Sequence, residues 1–241
     1  NQKTSLPVKI LCFDDFSSDR SLEIIKEIQK KYPDKIKIFS NKKNMGRGRY
    51  SILHNSNNFN ANAKYWCYLD GDDFWINETK VQSQIDMLEK NDNYIGCGGI
   101  SKMVDKNDVL LQLIDQDVLD YNLKSLIFLT GKKKLYMHPS TIIWKNVYYH
   151  KENFFLPKEK FKSIYGDMSI LYLMLNFNKT MKIACLKKIF SQYNFNEKGV
   201  WSSLSKKERN KIERYYFLNF MKMVSFKYKI FILLKKINFL K

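Results

Sequence analysis

The chain has 241 residues, 44% of them apolar, which suffices for one large domain, or one domain with an appendage, around a sizeable core. Lys and Arg number 42 against 24 Asp and Glu, a formal net charge of +18 that suggests an anionic partner such as a phosphorylated substrate, an anionic membrane or nucleic acid. No apolar run reaches the ~20 residues of a membrane-spanning helix, no signal-peptide pattern opens the chain, no Cys-x-x-Cys pair offers a zinc site, and no DNA- or RNA-binding signature accompanies the charge.

In chain order, residues 8–13 form an apolar run closed by Asp14 and Asp15, which reads as a strand with carboxylates at its end. Ser17, Ser18 and Asp19 are helix-capping types, and Leu22, Ile25 and Ile28 mark the apolar face of a helix to about Lys31, stopped before Pro33. Residues 36–39 read as a second strand, 41–48 as a basic Gly-containing loop, and 50–58 as a helical stretch. A buried strand at 65–69 leads into Asp70-Gly71-Asp72-Asp73, and a helix follows at 78–90 through Val81, Ile85 and Leu88. Residues 94–100 form a Gly-rich strand whose small residues permit close approach of a ligand or another backbone. Asp105-Lys106-Asn107-Asp108 is a hairpin-like turn before a strand at 109–114. Further on we expect a helix at 118–129, a strand at 140–144, a helix opened by Gly166-Asp167, and two short strands at 181–184 and 189–193. Ser205 caps a basic, aromatic helix. Strands and helices alternate through about residue 100, which predicts an α/β fold with a mostly parallel sheet and a mixed second half. Cys12, Cys67, Cys97 and Cys185 are read as buried thiols in a reducing compartment.

The chemistry centres on Asp70, Asp72 and Asp73. Three carboxylates in four residues at a strand's C-terminal edge repel each other, so stability does not explain them. A divalent cation relieves that repulsion, and hard oxygen ligands suit Mg²⁺ or Mn²⁺ shared with a substrate's phosphates. The plainer alternative is a solvated acidic turn.

Four segments carry a resemblance. Asp14-Asp15-Phe16-Ser17-Ser18-Asp19 resembles the Asp-Asp-Gly-Ser-Thr-Asp signature of family 2 glycosyltransferases, and Leu69-Asp70-Gly71-Asp72-Asp73 resembles their Asp-x-Asp metal motif. Tyr165-Gly166-Asp167 is similar to the family's acceptor-side Gly-Asp element, and residues 193–202 to its Tyr-Arg-x-His-x-Gly-Gly-Val-Trp-Ser segment, all in the family's order and spacing. The resemblance implies a GT-A fold with a Rossmann-like nucleotide-binding half over residues 1–204, a nucleotide-sugar donor with uridine diphosphate the commonest carrier, Mn²⁺ or Mg²⁺ on the diphosphate, and inversion at the anomeric carbon. It places Asp14, Asp15, Asp70, Asn44 and Gly46 on the nucleotide, Asp72 and Asp70 on the metal, and Asp167 as the catalytic base. Trp75, His138, Asn196 and Trp201 fall on the acceptor or lid side.

Two departures accompany it. Asn196 and Asn194 stand where the family segment has His and Arg, and a neutral amide oxygen is a weaker metal ligand than imidazole. Asn1-Gln2-Lys3-Thr4 matches the end of the family's first helix, so its first strand and helix are absent from this sequence, and two neighbouring strands are expected to lack a ladder partner. Residues 205–241 form a tail in which lysines interrupt apolar and aromatic residues from 215 onward. Such a helix either lies on an anionic membrane face, cytoplasmic by this reading and near a lipid-linked or surface-glycan acceptor, or packs back on the domain. A non-catalytic nucleotide-sugar-binding protein of the same fold and a nucleotidyltransferase remain as rivals; a nucleic-acid binder is disfavoured.

Overall fold

A computed structural model describes residues 2–44, 63–116, 118–123, 125, 137–147, 166–197, 199 and 202–223, with the backbone alone at 166–169, 172–173, 213 and 216–223. The elements in order are β1 (Ile10–Asp14), α1 (Ser21–Lys31), β2 (Ile36–Ser40), β3 (Tyr65–Cys67), β4 (Phe74–Trp75), α2 (Lys80–Lys90), β5 (Tyr94–Val104), β6 (Leu110–Ile114), β7 (Asp120–Asn122), β8 (Ile143–Lys145), α3 (Gly166–Phe177), β9 (Lys182–Asn194) and α4 (Lys206–Met223), with a short 3₁₀ turn at Pro139–Thr141.

Strands β1 and β2 form a parallel pair of their own, and seven strands form a second sheet in the order β3-β8-β5-β9-β4, with β6 on β5 and β7 on β9. The expected mostly parallel sheet is corrected here. Among the described residues only β1–β2 and β5–β9 pair in parallel, and the other five pairings are antiparallel. Part of the reason is visible at β6, which returns on β5 through the turn at 105–109 without a crossover helix, and parallel pairing needs such a crossover. Within the described residues β1 pairs only with β2 and β3 only with β8, so each presents an edge. Leu6, Val8 and Ile10 beside the first of these are each 40% exposed or more.

Both faces of the large sheet are covered. Ile143 and Trp144, and likewise Ile183 and Ala184, are consecutive residues that divide between two apolar clusters, as strand alternation requires. One cluster takes Val81, Ile85 and Leu88 from α2, the apolar stripe expected from sequence. The other takes Leu171, Met174 and Leu175 from α3, with Ile95, Tyr121 and Trp144. A fully buried side chain such as Leu88 contributes about 1.5–3 kcal/mol. Helix α1 buries none of its residues, and its Ile24 and Ile28 stay over 40% exposed.

Three local expectations change, at β7, at β9 and at the cysteines. Residues 120–122 of the expected helix are strand β7, because Tyr121 is drawn into the core beside β9. The two strands expected at 181–193 are one, β9; register shifts against β5 near Gly98 and Ile100 absorb its charged middle, Lys187-Lys188. The Gly-rich strand β5 admits side chains and a neighbouring carbonyl: a Cβ at Gly96 would meet the Trp144 ring at 2.6 Å, and one at Gly99 would meet Phe190 at 2.6 Å and the Lys188 carbonyl at 2.8 Å. The cysteine reading also changes: Cys97 and Cys185 are buried free thiols, Cys12 is half-buried and Cys67 is exposed. The helix expected at 50–58 lies outside the described residues.

Candidate active site

The acidic turn is built by its flanks. Strand β3 ends at Cys67, and after the turn β4 pairs with β9 through Phe74–Gln192 and Trp75–Ser191. The turn closes with the Asp73 N–H donating to the Asp70 carbonyl at 3.1 Å. From β9 the Asn194 amide donates to the Asp72 carbonyl at 2.6 Å. The departure noted in sequence at Asn194 thus has a structural role, clamping the turn's backbone.

The three carboxylates differ. Asp70 and Asp72 face solvent, and the Tyr68 hydroxyl donates to Asp70 Oδ1 at 2.6 Å. Local desolvation, with the charge of Asp72 adding to it, lifts the Asp70 carboxyl above its ordinary value. Asp73 turns inward and is 4% exposed, with neither carboxylate oxygen in a hydrogen bond. Burial, then the charges of Asp70 and Asp72, push its carboxyl up to about 7.

Facing Asp73 is His138, 5% exposed, with Nδ1 3.7 Å from Asp73 Oδ2 and 2.7 Å from Ser140 Oγ. Burial lowers its imidazole to about 4, so the ring is neutral at physiological pH. Its ring lies 4.8 Å from that of Tyr193 on β9. The segment 138–140 therefore meets the acidic turn although far from it in sequence, which no sequence spacing reveals.

Trp75 is anchored rather than loose. Its indole N–H donates to the Ser140 carbonyl at 2.8 Å, and the Lys80 ammonium sits 4.3 Å over its ring. Lys80 is fully buried and its Nζ has no hydrogen-bond partner; burial brings the amine down to about 8. Cation–π contact offsets part of that desolvation cost.

Asp14 and Asp15 belong to the β1–β2 unit. Asp14 is buried, receiving the Ser17 N–H at 3.2 Å and the Ser40 hydroxyl at 2.8 Å. Desolvation acts upward on this carboxyl, but these hydrogen bonds outweigh it and hold it below its ordinary value. Oδ2 thus ties the end of β1 to Ser40 at the end of β2, while Oδ1 holds the turn that follows at Ser17. Asp15 accepts from the Asn41 amide at 2.6 Å. Phe16, where the similar family signature has Gly, adopts φ 62°, a left-handed conformation that costs a side chain about 1–2 kcal/mol.

The remaining candidates are placed as follows. Asn44 is exposed at the end of its described segment, and Gly46 and Trp201 lie outside the described residues. Asp167 falls in the first turn of α3, and its side chain lies outside the described residues. Asn196 is exposed in a turn whose carbonyl accepts the Gly199 N–H at 2.8 Å, two residues beyond the Asn194 clamp. Sequence reasoning singled out His138 and noted Asn194 only as a departure; it missed Ser140, Ser191 and Ser101 as supports of His138. Ser101 and Ser191 meet through cross-strand register, which a single sequence does not carry.

Among the described residues no group of three or more His, Cys, Asp or Glu converges to hold a metal. The donor set fits a different type of site, in which one or two carboxylates, here Asp70 and Asp72, supply hard oxygen ligands and substrate phosphates supply others.

A mixed α/β sheet with a carboxylate-rich turn at its edge is the architecture of α/β domains that hold ligands beyond a sheet's strand ends. Residues 1–172 match the family model for Glycosyl transferase family 2, and the chain belongs to that family. An uncharacterised glycosyltransferase of Nostoc sp. is 31% identical over 135 residues, 54% of this chain and 39% of the relative. An uncharacterised protein of Mycobacterium tuberculosis is 26% identical over 97 residues, 40% of this chain and 27% of the relative. The matches thus span well under half the length of these relatives. Among the described residues no helix is long and apolar enough to cross a membrane.

Proposed function

We propose that the chain transfers a sugar, with inversion, from a nucleotide-sugar donor, a uridine diphosphate sugar first, to a surface-glycan or lipid-linked acceptor. The observation that carries the reading is the acidic turn: Asp70 and Asp72 face solvent side by side while β9 grips the turn from behind through Asn194. Family membership supports the donor class.

In this reading Asp70 and Asp72 would hold Mn²⁺ or Mg²⁺, with the donor diphosphate supplying further oxygen ligands. Such an ion, when bound, stabilises the negative charge that develops on the leaving nucleoside diphosphate. Asp70 and Asp15 orient the nucleotide, with Asp14 bracing the end of β1 beneath Asp15. Asp167, at the start of α3, takes the proton of the acceptor hydroxyl as it attacks the anomeric carbon. The sequence of 215–241, with its alternation of lysines and apolar residues, supports peripheral contact with an anionic membrane face.

The test is calorimetric titration with uridine diphosphate, with and without Mn²⁺, beside Asp72→Ala. Metal-dependent binding that the variant loses is expected, and absence of binding by the folded protein would overturn the reading. Asp167→Asn is expected to keep nucleotide binding and lose transfer.

A further inference from the structure

Behind the acidic turn runs a buried chain of hydroxyls. His138 Nδ1 meets Ser140 Oγ at 2.7 Å, Ser140 Oγ meets Ser191 Oγ at 2.8 Å, and Ser191 Oγ meets Ser101 Oγ at 3.0 Å. All three serines are at most 1% exposed. Ser101 and Ser191 are register partners across β5 and β9, and Ser140 lies in the 3₁₀ turn that precedes β8. Each hydroxyl has one proton, so the chain must run in one direction or the other. If it runs away from the ring, Nδ1 carries a proton and donates to Ser140, and Ser101 at the far end donates to the Ser191 carbonyl at 3.5 Å. If it runs toward the ring, Nδ1 is a bare lone pair.

Two observations select the first direction. The Ser191 carbonyl can only accept, so it gives the outward chain a natural terminus. Asp73 Oδ2 lies 3.7 Å from the same Nδ1. Wherever that carboxyl is ionised, an N–H dipole aimed between it and Ser140 is attractive, whereas a lone pair there repels. We propose that Ser101, Ser191 and Ser140 are positioning residues that lock His138 as the Nδ1–H tautomer against Asp73, so that the acidic turn is braced from behind by a ring of fixed polarity. This deepens the proposed function and its second readout rests on that reading. The Ser140 carbonyl adds to the brace by accepting from Trp75, the second residue after Asp73.

The direct test is long-range ¹H–¹⁵N NMR of the imidazoles in the full chain. The sequence has three histidines, and His138→Gln assigns the relevant signal. The expected result is a protonated Nδ1 and an unprotonated Nε2 at neutral pH. Ser140→Ala should convert the ring to the other tautomer or a mixture, and Ser140→Thr, which restores the hydroxyl, should restore the signal. An Nε2–H tautomer in the unmodified protein, or a spectrum indifferent to Ser140→Ala, would overturn the proposal. The second readout is Mn²⁺-dependent uridine diphosphate affinity, expected to fall about fivefold in Ser140→Ala, as losing one ordinary hydrogen bond would produce. If the unmodified protein binds no nucleotide, the functional reading fails, and the tautomer measurement alone still decides this proposal.

Discussion

His138 Nδ1 and Asp73 Oδ2 lie 3.7 Å apart in a buried pair whose ordinary titration order is inverted. Burial raises Asp73 from 3.8 to about 7 and lowers His138 from 6.5 to about 4, so between those limits the histidine is the neutral partner while the acid keeps much of its proton. For Asp73 the folded value is the higher one, so its contribution is fully present below pH 3.8 and is lost as pH rises through 7. For His138 the folded value is the lower one, so its contribution is present above pH 6.5 and is lost as pH falls through 4. The two slopes oppose each other across the shared window. Asp73→Asn removes one of them. In metal-free protein at pH 8 the variant should be more stable by up to about 4 kcal/mol, the free-energy equivalent of the Asp73 shift. The advantage should vanish by pH 4, and urea unfolding at several pH values measures it. A variant less stable than the parent at pH 8 would refute the burial argument.

Gly99 sets the distance between β5 and β9. An added methyl there meets the Phe190 ring at 2.6 Å and the Lys188 carbonyl at 2.8 Å, and the second obstacle is backbone that cannot rotate away. Gly99→Ala should therefore destabilise by about 1–3 kcal/mol, the usual range for overpacking a filled core. Gly71→Ala is the contrast, since a Cβ at Gly71 meets nothing within 4 Å and its stability should change little. Thermal melts of the pair check both.

These cases mark what one sequence carries. The stripe Val81, Ile85, Leu88 announced α2, and Ser205 announced the start of α4, where it and Glu208 exchange hydrogen bonds in a capping box. The acidic turn was legible because like charges at a strand end demand a reason. Periodicity failed at β7, where Tyr121 is held by tertiary burial, and at β9, where charged residues interrupt an apolar run without ending the strand. The parallel sheet was inferred from alternation in the first half and does not extend to the short strands β3, β4, β6, β7 and β8, whose described pairings are antiparallel. The polar chain behind His138 starts with a local pair two positions apart and continues over links of 51 and 90 positions, which the packing of the 3₁₀ turn and the β5–β9 register bring together. Phe16 shows the reverse case, a sequence departure from a Gly position whose left-handed backbone the fold retains.

Helix α2 borrows its N-terminal cap from the start of the chain. Its own Thr79 makes no side-chain cap, and Gln2 instead accepts from the Val81 N–H at 3.0 Å while donating to the Asn77 carbonyl at 2.8 Å. Lys3 adds a backbone bond to the Glu78 carbonyl at 2.7 Å. Gln2→Ala should cost about 1 kcal/mol, as loss of a conventional cap does, and should lower the melting temperature by about 2–4 °C. Gln2→Glu keeps the acceptor beside a helix N-terminus and should recover most of the loss. Equal melting temperatures for Gln2→Ala and the parent would show that the contact contributes nothing.

Asn194 offers a cleaner separation of site from stability. Its amide donates to the Asp72 carbonyl at 2.6 Å at an exposed edge, so the bond is worth about 0.5–1.5 kcal/mol to whatever state it favours. That state is the conformation of the turn in which Asp70 and Asp72 face out together. Asn194→Ala should therefore weaken Mn²⁺-dependent uridine diphosphate binding by about fivefold, while the melting temperature of the metal-free protein moves by less than about 3 °C. Asn194→Asp cannot donate and brings a negative charge toward the turn. It should weaken nucleotide binding further at low Mn²⁺, with saturating Mn²⁺ recovering part of the loss. Unchanged nucleotide affinity in Asn194→Ala, beside a parent that binds, would show that the clamp does not shape the site.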